Sequence, residues 1–259
     1  MRFTHAIVRP PAASFADGIT ASDLGTPDYS LALAQHEGYC RALERLGLSL
    51  VRLPPDPGFP DSTFVEDTAL VAGGSAIVTR PGASSRAGEV EAMKAALGPW
   101  FPEVDAITAP GTLDAGDVCE AGKHFFIGRS HRTNAEGAAQ LAAWLERQGF
   151  SATVVDIRDI RGLLHLKTGI SWLGGRRLLV SDDIADNQAL GEWDLVRVPA
   201  GEDYAANCVA VNGAVLVPEG FPKTAAMLSE LGIDVVPLEM SEFRKMDGGL
   251  SCLSVRWGR

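Results

Sequence analysis

The sequence predicts an α/β fold, a five-bladed α/β propeller of pseudo-fivefold ββαβ repeats with residues 1–259 forming one domain. Three observations predict it. A helical stretch closed by glycine and followed by a β-branched strand occurs five times, about 40–50 residues apart. An apolar hairpin follows each of the first four. A polar, chemically capable residue recurs where the first strand of each hairpin begins.

The first helix precedes LGLSLVRLP, with Tyr39, Leu43 and Leu46 at helical spacing and Gly47 at its end. The second carries Val90, Met93 and Leu97 on one face and stops at Gly98. The third ends at Gly149, and Thr133 with Glu136 reads as its capping box. NQALGEWDLVRVPA supplies the fourth with Gly191, and MLSELGIDVVPLEMS the fifth with Gly232. Each glycine occupies the left-handed C′ position, where glycine has no Cβ to clash. The hairpins are FVEDTALVAGGSAIVT, LDAGDVCEAGKHFFIG, LHLKTGISWLGGRRLLV and YAANCVAVNGAVLVP, each with a Gly- or Asn-rich turn between apolar strands. DGGLSCLSVRW has no second strand after it; THAIVRP from the N-terminus is expected to supply one and join the two ends. A doubly wound α/β sheet also alternates strands and helices, but the regular hairpins favour the radial array.

A net charge of −10 disfavours nucleic acid or an anionic membrane as the partner and suits a cationic small molecule. MRFTHAIVRP has no signal-peptide pattern, and no apolar run reaches the length of a membrane span, so a cytoplasmic setting is expected. Cys40, Cys119, Cys208 and Cys252 lie far apart with no C-x-x-C pair, as in a reduced compartment. Cys119, His124 and His131 have poor spacing for zinc, and no metal is expected.

Rotation of the units brings the strand starts together: Glu66 and Asp67, Asp114 and Asp117, His165, Asn207, Cys252. A cysteine in an apolar strand is by default a packing residue. Converging with an imidazole and carboxylates, it becomes a candidate nucleophile. A thiolate attacks electrophilic carbon, a histidine protonates the leaving group and then activates water, and a carboxylate fixes the histidine tautomer. Further carboxylates accept paired hydrogen bonds from a guanidinium. Asp117 and Asn207 are expected to make local hydrogen bonds.

The motifs DGITASDLGTPDY, FPDSTFVEDTALV, IVTRPGASSR, APGTLDAGDV, GRSHRTNAEGA, LLHLKTG, YAANC and RKMDGGLSCLSVRW together resemble the dimethylarginine dimethylaminohydrolases, guanidino-group-modifying enzymes of the pentein fold, nearly end to end. The resemblance implies roles residue by residue. Cys252 is the nucleophile, His165 the general acid and base, and Asp114 the carboxylate that orients it, at a position where some relatives carry Glu. Asp61 and Asp67, with Glu66 beside them, are the guanidinium ligands. Arg86 and Arg132 bind the substrate α-carboxylate. The main-chain carbonyls of Ile19, on a mobile lid, and of Met246 meet the substrate, and Ser251 hydrogen-bonds the intermediate. The implied reaction turns Nω-methylated arginine into citrulline and a methylamine with no metal or organic cofactor. The substrate's own charge favours the thiolate. The alternatives are an arginine deiminase-like hydrolase, an amidinotransferase and a non-catalytic ribosome-binding factor of the same fold. The short chain disfavours the first two, and the Cys–His–carboxylate set disfavours the third. A homodimer through the outer strands or helices is compatible with the pattern.

Overall fold

In a computed structural model, residues 2–258 are described. They form a mixed α/β structure of five three-stranded sheets. In chain order the elements are β1 (His5–Val8), α1 (Tyr29–Arg45), β2 (Ser49–Arg52), β3 (Ala69–Ala72), β4 (Ser75–Val78), α2 (Glu89–Leu97) and β5 (Val104–Ala106). Then come β6 (Val118–Ala121), β7 (His124–Arg129), α3 (Ala135–Arg147), β8 (Ser151–Asp156), β9 (Ile170–Gly174), β10 (Arg177–Val180), α4 (Asp182–Ala185) and β11 (Asp194–Arg197). The chain continues through β12 (Val209–Val211), β13 (Ala214–Pro218), α5 (Pro222–Glu230), β14 (Asp234–Leu238), α6 (Ser241–Arg244) and β15 (Val255–Trp257).

Each sheet has one design. A middle strand pairs antiparallel with an inner strand and parallel with an outer strand, which it reaches through a helical crossover. The expected joining of the ends is present: β15 pairs antiparallel with β1, which pairs parallel with β2.

The middle strands AIV, FFI and LLV are apolar on both faces because both are covered. Successive side chains point to opposite faces, so each middle strand feeds two cores. Ala6 and Val8 of β1 join one cluster and Ile7 another. Ala76 and Val78 of β4 join Ile7, while Ile77 turns to the cluster of Phe125 and Ile127. Phe126 packs with Leu178 and Val180, and Leu179 with Val215 and Val217. Leu216 of β13 returns to the cluster of Ala6 and Val8.

Three helix-end glycines are left-handed as expected, Gly47, Gly149 and Gly232, with φ of +90°, +82° and +76°. Gly98 and Gly191 are right-handed, at φ −50° and −62°. Gly98 carries on the helical backbone, and the fourth crossover is only the short α4 and a 3₁₀ turn, Gln188–Leu190. Thr133 and Glu136 do not make the expected capping box. Asn134 caps α3 by accepting from Gly137 N–H at 2.8 Å, and the Thr133 hydroxyl is drawn to the buried Asp117 carboxylate at 2.6 Å. Among the described residues no helix is long and apolar enough to cross a membrane.

Candidate active site

A short 3₁₀ turn precedes the inner strand of every sheet: Val65–Thr68, Ala115–Asp117, Leu166–Thr168, Asp203–Ala206 and Ser251–Leu253. The polar residues read as strand starts belong to these turns or border them. Glu66 and Asp67 lie in the first, Asp114 and His165 open the second and third, Asn207 closes the fourth, and Cys252 lies inside the fifth. Cys252 is thus not a strand residue. Its turn ends before β15, which frees the side chain from the alternating faces of the sheet.

His165 Nε2 lies 3.1 Å from Asp114 Oδ2. The other Asp114 oxygen accepts from Gly82 N–H at 2.8 Å, so the carboxylate cannot swing away from the ring. Facing the Asp114 carboxylate, Nε2 carries a proton and donates it. Asp117 makes the local bonds expected of it. It accepts from Ser130 and Thr133 hydroxyls at 2.6 Å each and from Leu166 N–H at 2.9 Å, tying the His165 turn to the Arg132 loop. Asn207 Oδ1 accepts from Ser251 N–H at 2.9 Å and fixes the Cys252 turn. Gly116 admits the close approach of Asp67 and His165: a Cβ there would meet Asp67 Oδ1 at 2.6 Å and His165 Nδ1 at 2.8 Å.

Burial by itself lowers the pKa of His165, but Asp67, Asp114 and Asp117 raise it to about 9. Cys252 is pushed up to about 12, first by burial and then by Glu66 and Asp67. Near neutral pH the resting pair is therefore an imidazolium beside a neutral thiol. Burial opposes the charge of Asp67, yet its carboxyl stays below the usual range because His165, Arg86 and Gly116 N–H favour the anion.

A cavity of about 30 Å³ brings together Ile19, Asp61, Asp67, Arg86, Arg132, His165, Met246 and Cys252 from the predicted set. Within it the partners differ in part from expectation. Asp61 accepts from Ile19 N–H at 3.1 and 3.2 Å, which holds Ile19 at the cavity. Arg86 donates to Asp67 at 2.5 Å, to Glu89 at 2.8 and 3.0 Å, and to the carbonyls of Asp61 and Phe64. Its guanidinium is therefore largely committed within the chain. Arg132 makes no side-chain hydrogen bond among the described residues. Ser251 is buried beside Cys252 with its hydroxyl unpartnered among the described residues, and it lines a second cavity of about 270 Å³ that adjoins the first.

Glu66 is the clear departure. Its carboxylate pairs with Lys167 at 2.6 Å and Arg256 at 3.3 Å and borders a third cavity of about 370 Å³ that contains neither Cys252 nor His165. Two basic side chains draw it there, away from the other carboxylates. Sequence reasoning passed over Asp247, whose Oδ2 accepts from Ala21 N–H at 2.6 Å and from the Thr20 hydroxyl at 3.1 Å. Its signal was the left-handed backbone, φ +56°, hidden in an Asp-Gly-Gly turn. Glu89 gave no signal, being one acid among others at a helix start.

Asp67, Asp114 and His165 bring one ligand atom each within 4.8 Å of one another and are the group that could hold a cation. Arg86, Gly116 and Gly82 already occupy the two carboxylates, so the arrangement favours a hydrogen-bonded network.

No protein-family model matches the chain. It is 46% identical over 256 residues to the N(G),N(G)-dimethylarginine dimethylaminohydrolase of Pseudomonas aeruginosa, covering 98% of this chain and all of that one. It is 35% identical to the Streptomyces coelicolor enzyme of the same name, over 97% of this chain and 96% of that one. A solved structure of the Pseudomonas enzyme, a cysteine-to-serine mutant complexed with citrulline, matches with a TM-score of 0.94 at 44% identity, over 99% of this chain and all of that one. The chain belongs to the dimethylarginine dimethylaminohydrolase family.

Proposed function

We propose that this chain hydrolyses Nω-methylated arginine, both asymmetric dimethylarginine and monomethylarginine, to citrulline and dimethylamine or methylamine. The observation that carries the proposal is a single cavity in which Cys252 and His165 meet the Asp67 carboxylate and Arg132, whose guanidinium has no hydrogen bond among the described residues. Asp67 suits the guanidinium, and Arg132 suits the α-carboxylate. Arg86 acts chiefly by holding Asp67 ionised. The carbonyls of Ile19 and Met246 receive the α-amino group. Asp61 serves the site mainly by holding Ile19, and Glu66 mainly by its charge.

The reaction balances without metal or organic cofactor. The guanidinium enters beside Cys252 and lowers the cost of the thiolate, whose proton goes to solvent. Sulfur attacks the guanidinium carbon. The C–N bond to the methylated nitrogen breaks as that nitrogen takes a proton from His165, held towards the site by Asp114. A thiouronium remains on Cys252. Neutral His165 removes a proton from water, the oxygen bonds to carbon, and the C–S bond breaks to give citrulline and the thiolate. Ser251 hydrogen-bonds the tetrahedral species.

The five cores shared in turn by neighbouring sheets, the last returning to the first, support a five-bladed propeller of the pentein fold spanning residues 1–259 as one domain. The same reading carries a cytoplasmic setting and a homodimer built through the outer strands or helices.

The test is incubation with asymmetric dimethylarginine, monomethylarginine and arginine, with Cys252→Ala in parallel and citrulline and amine both quantified. Citrulline from the methylated substrates, lost in the variant, is expected. Citrulline chiefly from arginine makes the chain a deiminase with the same mechanism.

A further inference from the structure

Cys252 and His165 stand on the border of two cavities. Leu164, His165, Asp247, Gly248 and Cys252 line both. The smaller, about 30 Å³, holds Asp67 and Arg132. The larger, about 270 Å³, runs the other way, past Ser22, Leu24, Leu163, Asp183 and Asp203. On the hydrolase reading above, the amino-acid end of the substrate lies on the side of the smaller cavity, towards Arg132. The nitrogen to be expelled must touch His165, because His165 gives it the proton. Any substituent on that nitrogen then points into the larger cavity. A dimethylamino group displaces about 60 Å³, on the scale of two water molecules, and leaves most of that space unfilled.

The charges around the larger cavity are unbalanced. Arg244 lies over the rings of Tyr204 and Phe221, 5.0 and 5.5 Å from their centres. Lys167 is paired with Glu66 at 2.6 Å. Asp183 and Asp203 have no hydrogen bond or ion pair among the described residues and are exposed at the rim. Arg244 keeps its charge there, but Asp247 adds a third carboxylate to the lining, so three anions stand against Arg244 and His165 once Lys167 is paired off.

We infer that this chain also hydrolyses Nω-alkylarginines whose substituent is much longer than methyl, with a substituent ending in an ammonium preferred over its apolar equivalent. The chemistry is unchanged. The C–S bond forms, the C–N bond to the alkylated nitrogen breaks, and that nitrogen takes the His165 proton. Water completes citrulline while the amine, or diamine, departs through the larger cavity.

The experiment compares Nω-methyl-, Nω-butyl- and Nω-(4-aminobutyl)-L-arginine on the wild-type chain, with citrulline and released amine both measured. The expected kcat/KM for butyl is within about tenfold of methyl. The aminobutyl substrate should exceed butyl at low salt by up to about fivefold, the range of exposed charge pairs, and lose that advantage at high salt. The double variant Asp183→Asn, Asp203→Asn should remove the advantage and spare methylarginine. Leu163→Trp, which fills the cavity, should depress the two long substrates selectively. A fall of more than 100-fold from methyl to butyl in the wild-type chain overturns the inference, whatever the folding of the variants. So does equal turnover of all three substrates in a folded Leu163→Trp chain. No turnover of methylarginine itself instead strikes at the hydrolase reading on which the inference rests.

Discussion

Asp67 meets Arg86 at 2.5 Å, and Glu66, one residue earlier, meets Lys167 at 2.6 Å and Arg256 at 3.3 Å. Both carboxylates are buried, both are paired with cations, and both stand in the turn Val65–Thr68. Asp67 borders the cavity of Cys252 and His165, and Glu66 borders the cavity that lacks them. A 3₁₀ turn has about three residues per turn, so consecutive side chains diverge by roughly 120°. That rotation alone turns one carboxylate to the cavity of Cys252 and His165 and its neighbour to the ion pairs with Lys167 and Arg256. Neighbours in sequence with the same charge and burial therefore need not share a role.

The comparison presupposes that the reacting centre lies on the Asp67 side, and the largest expected effect tests this. Cys252→Ala should abolish citrulline formation while the chain stays folded by circular dichroism. Residual activity of even a few per cent would place the nucleophile elsewhere. Next, Asp114→Asn keeps the shape beside His165 but removes the charge that fixes its proton-bearing nitrogen. A loss of kcat of about 100- to 10,000-fold is expected, the range of a general acid–base group. A loss below tenfold would remove Asp114 from the histidine's support.

The two neighbouring carboxylates themselves come third. Asp67→Asn should lower kcat/KM by about 100-fold, because it removes a guanidinium acceptor and the charge that does most to keep His165 protonated. Glu66→Gln should keep kcat/KM within about tenfold of the parent. Its cost appears in folding, since it leaves Lys167 and Arg256 without their anion, and losing one partner of a buried pair costs about 3–5 kcal/mol. Urea unfolding of both variants beside their kinetics separates the two roles. A Glu66→Gln chain of parental stability with crippled kcat/KM would reverse the assignment.

Much of this plan is readable before any coordinates. The hairpins, three of the five helix-end glycines and the return of the N-terminal strand to β15 follow from periodicity and turn chemistry, because strands covered on both faces leave continuous apolar runs. The cluster of Cys252, His165 and Asp67 is readable because the repeat places equivalent residues at equivalent turns. Hidden from the sequence is the direction each side chain takes within its turn. Glu66 was grouped with Asp67 since spacing by one residue carries no label for which cation will claim it. Arg86 reads as an anion binder, but its commitment to Glu89 depends on α2 folding back beside Asp67, a tertiary fact. Thr133 fits a capping box by local rule and lost that role to the nearby buried Asp117, which needed donors.

The smallest effect concerns the charge that Glu66 projects across the boundary. Among the described residues its carboxylate makes no hydrogen bond with Cys252, yet after burial it is the leading influence raising the thiol to about 12. A thiol reacts as its anion, so alkylation of Cys252 by the neutral reagent iodoacetamide should climb with pH from 7 to 10 without levelling near 9.5, about one unit above the pKa of an ordinary thiol, where such a thiol does. Glu66→Gln removes a negative charge that disfavours the anion. The alkylation profile should then move to lower pH, by about one unit. Movement to higher pH would overturn the assigned sign of the Glu66 charge, and no movement would mean that Lys167 and Arg256 already cancel its field at the sulfur. The separation of the two carboxylates would then be electrostatic as well as geometric.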